Sequence, residues 1–152
     1  MDKYFVVFEE VASLCKDLAE QVKKEKFKPD VIIGVSRGGW IPARIISEHL
    51  GVEALASIGV KSYDHCKKQC KPYLFEELGL KIKGLEVLVV DEIADSGESL
   101  EVVKEYLDSL APSRVKFAVL HCKPWSKFKP DYSARQTEEW VVYPWEEKES
   151  ER

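Results

Sequence analysis

Nowhere in the 152 residues does an apolar run approach the ~20 residues needed to span a bilayer. Met1 leads straight into Asp2 and an amphipathic segment, without the basic and then apolar stretch of a secretory leader, so a cytoplasmic protein with no membrane partner is expected. Basic charge is not in excess either. With 23 Lys and Arg against 27 Asp and Glu the net charge is −4, which argues against a general nucleic-acid partner. The four cysteines, Cys15, Cys66, Cys70 and Cys122, have no paired C-x-x-C arms. They read as reduced thiols, and neither His65-Cys66 with Cys70 nor His121-Cys122 has the spacing of a zinc site. Internal repeats, linkers and low-complexity stretches are also missing. A single domain over residues 1–152 is expected, ending in a charged tail at 147–152.

What is present centres on residues 85–100, LEVLVVDEIADSGESL. The run 85–90 is short, nearly all apolar and rich in β-branched residues, the pattern of a strand buried on both faces of a parallel sheet. Asp91 and Glu92 are expected to end it. A polar turn, Asp95-Ser96-Gly97-Glu98-Ser99, follows, and Leu100, Val103, Leu107 and Leu110 then recur at helical spacing. A loop that opens a helix offers unpaired backbone N–H groups and the positive end of the macrodipole, and Gly97 lets a phosphate approach the backbone. The acid pair could hold a hard cation. Helix capping by Asp95 or Ser96, or an acidic pocket of the response-regulator type, would fit the same fragment.

A second strand-to-helix junction has the same character. Val31-Ile32-Ile33-Gly34-Val35 is a fully apolar strand, and Ser36-Arg37-Gly38-Gly39-Trp40-Ile41-Pro42 turns it into an amphipathic segment closed by Gly51. A tight βα connection with a surface arginine would look alike. Residues 4–8 read as an edge strand, residues 11–22 as a covering helix, and 55–60 and 114–121 as further strands. Between them, residues 61–71 are polar, basic and aperiodic, the pattern of a solvated loop. Alternating strands and helices imply an α/β fold with a doubly wound parallel sheet and right-handed crossovers, its ligands outside the carboxyl ends of the strands.

The stretch VLVVDEIADSGES resembles the signature of the type I phosphoribosyltransferases, in which an apolar strand runs into two acids and a D-[ST]-G-x-[ST] loop. Glu92 stands where a second Asp is more usual and Ser96 where Thr is, both preserving the chemistry. Ser36-Arg37-Gly38-Gly39 resembles the family's pyrophosphate loop, which implies a non-proline cis peptide at Ser36-Arg37. Ser62-Tyr63-Asp64-His65 resembles the mobile catalytic loop of bacterial xanthine-guanine enzymes. There an arginine stands where this chain has Gln69, with Lys67 or Lys68 as substitutes. Lys123-Pro124 and the segment Trp140-Val141 to Glu146 resemble the purine-contacting regions of those enzymes and of short archaeal relatives, with a small hood built from the N- and C-terminal segments.

The resemblance implies transfer of ribose 5-phosphate from 5-phosphoribosyl 1-diphosphate (PRPP) to a 6-oxopurine base, hypoxanthine, guanine or xanthine. It implies Mg2+ as cofactor, oriented by Asp91 and Glu92, and a homodimer or homotetramer. PRPP would be bound by Arg37, Gly38, Asp91, Glu92, Asp95, Ser96, Gly97, Glu98 and Ser99. Asp95 would accept the N7 proton of the base, with Arg37 stabilising the departing diphosphate. Ser62 and Tyr63 would belong to the closing loop, while Lys123 donates to O6, Trp140 stacks and the Val141 carbonyl meets the 2-position. A Lys at the base edge suits an O6 acceptor better than an amino group, which ranks 6-oxopurines ahead of adenine or a pyrimidine. A regulator that senses PRPP without transfer is the alternative of a different class.

Overall fold

The computed structural model describes residues 2–63 and 69–148. Its central sheet has six strands in the order β4-β3-β2-β5-β6-β7, formed by β2 (Val31–Ser36), β3 (Leu55–Tyr63), β4 (Gln69–Glu76), β5 (Glu86–Ala94), β6 (Arg114–Cys122) and β7 (Tyr132–Gln136). All neighbours are parallel except β3 and β4. The doubly wound sheet is therefore mostly parallel, with one antiparallel edge. From β2 the chain moves outward to β3, and from β5 it moves the opposite way to β6. The switch point lies between β2 and β5, where the carboxyl ends of two strands diverge to leave a crevice.

Both faces of the sheet are buried, and the period of two assigns alternate residues to each. Ile32, Leu88, Val90, Ala118 and Leu120 pack on one face with α1 (Phe8–Lys24) and α2 (Trp40–Leu50). Val31, Ile33, Val35, Val87, Val89, Phe117 and Val119 pack on the other with α3 (Glu98–Asp108). In α1, Val11, Leu14, Leu18 and Val22 form the buried stripe, with Glu9 and Glu10 in the first turn and Lys23 and Lys24 in the last, each favourable to the macrodipole. Helix α2 stops at Gly51, whose φ of 66° makes the left-handed cap that glycine adopts without strain. Each fully buried Leu, Ile or Phe contributes roughly 1.5–3 kcal/mol by leaving water.

The segment read as a strand over 4–8 is shorter. β1 (Lys3–Phe5) pairs in parallel with β8 (Trp140–Val142) as a separate two-stranded sheet, and Phe8 already begins α1. Val6, Val141 and Tyr143 join this hood to the α1 side of the core. The region read as a solvated loop is partly paired, since β3 reaches Tyr63 and β4 begins at Gln69. Residues 64–68, with His65, Cys66, Lys67 and Lys68, lie outside the described residues. Strand β5 also runs past the acids to Ala94 instead of ending at them, because β6 continues beside it through Ile93↔His121 and Ala94↔Cys122.

Helix α2 begins hard against the sheet. A Cβ on Gly39 would stand 2.5 Å from the Val90 carbonyl oxygen and 2.7–2.8 Å from the Val35 oxygen and nitrogen, all of them backbone atoms. Gly39→Ala should therefore lower unfolding stability by about 1–3 kcal/mol in urea titration. Gly79→Ala, with nothing within 4 Å of its Cβ, should stay within about 0.5 kcal/mol. Equal effects would contradict the close seating of α2.

Candidate active site

Strand β5 delivers its two acids in different directions. Asp91 lines a hollow of about 550 Å³ with Ser62, Asp95, Ser96, Gly97, Ser99 and Leu100. Glu92 borders it too, but its carboxylate reaches across to the loop before α2, where a Cβ on Gly38 would come within 2.2–2.3 Å of it. The Trp145 indole N–H donates to Glu92 Oε2 at 2.7 Å. Glu92 thereby also borders a second hollow of about 390 Å³ formed with Arg37, Gly38, Trp40, Ile41, Trp145 and Glu146. The two hollows adjoin at this residue and straddle the switch point. Burial raises the Asp91 carboxyl to about 7, against the pull of the Glu92 N–H that donates to its Oδ1 at 2.7 Å.

The polar turn after β5 is braced from behind. Gly97 has φ 90°, and a Cβ there would strike the Phe128 nitrogen at 2.5 Å and the Ser126 hydroxyl oxygen at 2.8 Å. The glycine is thus required by packing against residues 126–128 as well as by its conformation, a reason the turn itself did not disclose. Lys127 N–H donates to the Ser96 carbonyl at 3.0 Å, and Lys123 N–H to the Ala94 carbonyl at 2.9 Å. The side chains of Asp95 and Ser96 stay exposed. Glu98 N–H donates to Ser96 Oγ at 3.3 Å, and Glu98 stands outside the lining of the hollow. Ser62, at the end of β3, brings its hydroxyl 3.3 Å from that of Ser99.

After β2, the Ser36-Arg37 peptide is cis. Behind this loop runs a buried aromatic column. Tyr143 stacks on Trp145 with an interplanar angle of 1°, and its hydroxyl donates to the Glu92 carbonyl at 2.9 Å. Burial first, then the nearby Glu92, Asp91 and Glu146 charges, hold the Tyr143 phenol protonated. Since that proton is engaged, His121 Nδ1, 2.8 Å away, donates to the phenol oxygen, leaving Nε2 as a buried atom without a partner. Burial pushes the His121 imidazole down to about 4.

Lys123 is buried at 3% exposure, and its ammonium donates to the Glu139 carbonyl while lying 5.3 Å from the Trp125 ring centre. Trp140 follows Glu139 and is exposed, while Val141 beside it is buried. The Trp125 indole N–H donates to Asp95 Oδ1 at 2.9 Å. Asp95 and Lys123 thus meet around Trp125, with Lys123 also tied to Glu139, the residue before β8. Phosphate-type donors, paired acids, a loop cation and an aromatic edge with an ammonium suit a phosphorylated sugar joined to a flat heterocycle.

A model of the phosphoribosyl transferase domain matches residues 8–152. The chain belongs to the phosphoribosyltransferase family. It is 30% identical over 147 residues, 95% of this chain and 87% of the relative, to a xanthine-guanine phosphoribosyltransferase of Idiomarina loihiensis. The crystal structure of a purine phosphoribosyltransferase from Pyrococcus horikoshii Ot3 superposes with TM-score 0.87 at 41% identity, covering 97% of this chain and 95% of that one. A Helicobacter pylori xanthine-guanine-hypoxanthine phosphoribosyltransferase gives TM-score 0.85 at 28% identity, over 98% and 97% of the two chains.

Sequence reasoning about this phosphoribosyltransferase gave no role to Trp125, placed Tyr143 and Trp145 only within the purine-contacting segment 140–146, and weighed His121 only as part of a zinc pair. The bonds these residues make to Asp95, to Glu92 and to one another were therefore not foreseen. Trp125 and Trp145 could have been noticed for lying two and five residues beyond Lys123 and Trp140, but their carboxylate partners are set by tertiary packing. His121 binds a proton in the unfolded chain near 6.5 but in the folded one only near 4. The unfolded state therefore holds more protons in that window, and stability falls as pH drops through it. Urea unfolding of His121→Gln should show a shallower loss between pH 6.5 and 4 than the wild type. Identical slopes would mean that His121 does not titrate this way.

Proposed function

We propose that this phosphoribosyltransferase transfers the 5-phosphoribosyl group of PRPP to a 6-oxopurine base, hypoxanthine, guanine or xanthine, giving the nucleoside monophosphate and pyrophosphate. The observation that carries this reading is the meeting of Asp95, from the phosphate-type loop, with the buried Lys123 ammonium around the Trp125 ring. An acceptor for a ring N–H and a donor for a ring oxygen then lie beside one phosphate cradle. The names borne by the similar proteins, purine and xanthine-guanine phosphoribosyltransferases, support the same substrate class.

In this reading the backbone N–H groups at the start of α3 and the Ser96 and Ser99 hydroxyls hold the 5′-phosphate. Asp91 and Glu92 orient the ribose hydroxyls. Arg37 and the Gly38 backbone face the diphosphate, where negative charge develops as the C1′–O bond breaks. As N9 attacks C1′, Asp95 takes the N7 proton, Lys123 donates to O6, and Trp140 and the Val141 carbonyl define the base plane and its 2-position. Ser62 borders the hollow, and of the closing loop that the resemblance implies, Ser62 and Tyr63 are described while residues 64–68 lie outside the described residues.

Asp91 and Glu92 would hold Mg2+. Among the described residues no three His, Cys, Asp or Glu side chains form a closed metal cage. Mg2+ is ordinarily held by one or two carboxylates and completed by substrate oxygens and water. Asp91 and Glu92 both border the hollow and could offer hard carboxylate oxygens to the ion, whose charge would favour the ionised form of Asp91 and offset that of the diphosphate. The reading includes a cytoplasmic homodimer or homotetramer. Phe5, Val7 and Phe8 leave apolar surface on and beside the hood that a second copy could cover.

Pyrophosphate release from PRPP with Mg2+ and each of hypoxanthine, guanine, xanthine, adenine, uracil and orotate tests the proposal. Turnover is expected with one or more 6-oxopurines, and Asp95→Asn should slow it about 10²–10⁴-fold while PRPP binding by calorimetry is largely kept. Turnover confined to adenine or a pyrimidine would contradict the base assignment. PRPP binding without turnover on any base would favour a regulator.

A further inference from the structure

We infer that Trp125 is a positioning residue for Asp95, acting through its indole N–H. The inference rests on the reading of Asp95 as the proton acceptor. Trp125 is 49% exposed, so its ring contributes little to the core, yet its position is closely determined. On one side of it Lys123 N–H is bonded to the Ala94 carbonyl, and on the other Lys127 N–H is bonded to the Ser96 carbonyl at 3.0 Å. Ser126 N–H closes the turn onto the Lys123 carbonyl at 3.1 Å, and Ser126 Oγ donates to the Phe128 carbonyl at 2.8 Å. The segment carrying the indole is thus laced to both ends of the turn carrying the carboxylate. Within that frame the N–H meets Asp95 Oδ1 at 2.9 Å, and the Lys123 ammonium lies 5.3 Å from the ring centre.

A carboxylate on an exposed turn samples several rotamers, and proton transfer needs one of them. A donor on Oδ1 selects a rotamer and leaves Oδ2 to receive the proton. The ring that does this also borders Lys123, so the group meeting N7 and the group meeting O6 are set relative to each other by one rigid indole. The bond is charge-assisted and directional, and because it is half in water its removal should disturb orientation far more than folding.

The test compares Trp125→Phe, and benzothienylalanine at position 125, which keeps the bicyclic shape but replaces N–H by sulfur, with a fluorinated tryptophan that keeps the N–H. The readouts are kcat and KM for the preferred 6-oxopurine, the PRPP dissociation constant and the urea midpoint. We expect kcat to fall about tenfold or more in the two variants lacking the donor. PRPP affinity should change less than about twofold, the midpoint should be little altered, and the fluorinated ring should have nearly full activity. In an Asp95→Asn background, Trp125→Phe should have no further effect on the residual rate. Native kcat in the benzothienylalanine protein, an undiminished effect in the Asp95→Asn background, or parallel losses of kcat and PRPP affinity would overturn the inference. If Asp95→Asn itself keeps wild-type transfer, the assignment of Asp95 falls, and this inference with it. If Asp95→Asn is inactive and the Trp125 variants are normal, only this inference falls.

Discussion

β5 is hydrogen-bonded to β2 on one side and to β6 on the other, and the second pairing persists beyond the acidic pair to Ala94. A strand held in this way cannot rotate its polar end to suit solvent. Asp91 is kept facing α3 and its hollow, although burial raises its carboxyl to about 7. The Glu92 carboxylate is turned toward α2 and the Arg37 loop. The same constraint sets the start of the 95–99 turn, and through Lys123 N–H on the Ala94 carbonyl it sets the segment containing Trp125. Displacing β5 by one residue would exchange the faces of its side chains and dismantle all of these contacts.

Around this strand, two carboxylates are each held by an indole. Trp145 donates to Glu92, and Trp125 donates to Asp95. Trp145 stands on the buried side, stacked on Tyr143, whose hydroxyl ties back to the Glu92 carbonyl. Trp125 stands at the rim, half in water beside Lys123. An indole N–H is a donor without a charge, so it orients a carboxylate without the strong ion pairing that an arginine would impose. A carboxylate that must accept a proton or meet a cation benefits from that restraint.

The sheet was legible in the sequence because its central strands carry the apolar run VIIGV and the nearly all-apolar run LEVLVV, and helices follow each of them at the expected spacing. The pairing of the Arg37 loop with the 95–99 turn followed from topology alone. β7 was not legible, since Tyr132–Gln136 is largely polar and buries only Tyr132. The end of β5 was misjudged because acids at a carboxyl edge look like a terminator, whereas the backbone of β6 keeps pairing there. Trp125 and Trp145 escaped because a hydrogen bond between residues 30 or 53 positions apart has no local pattern.

We propose that the carboxyl edge at the β2–β5 switch point holds a phosphorylated ribose with its base toward Lys123. A crystal structure with a 6-oxopurine nucleoside 5′-monophosphate tests it most directly. The phosphate is expected on the backbone N–H groups of residues 96–99, the ribose hydroxyls at Asp91 and Glu92, and the base oxygen at the Lys123 ammonium. A nucleotide seated at the opposite edge of the sheet, among Lys23, Lys26 and Lys28 where another hollow opens, or bound with its base away from Lys123, would contradict it.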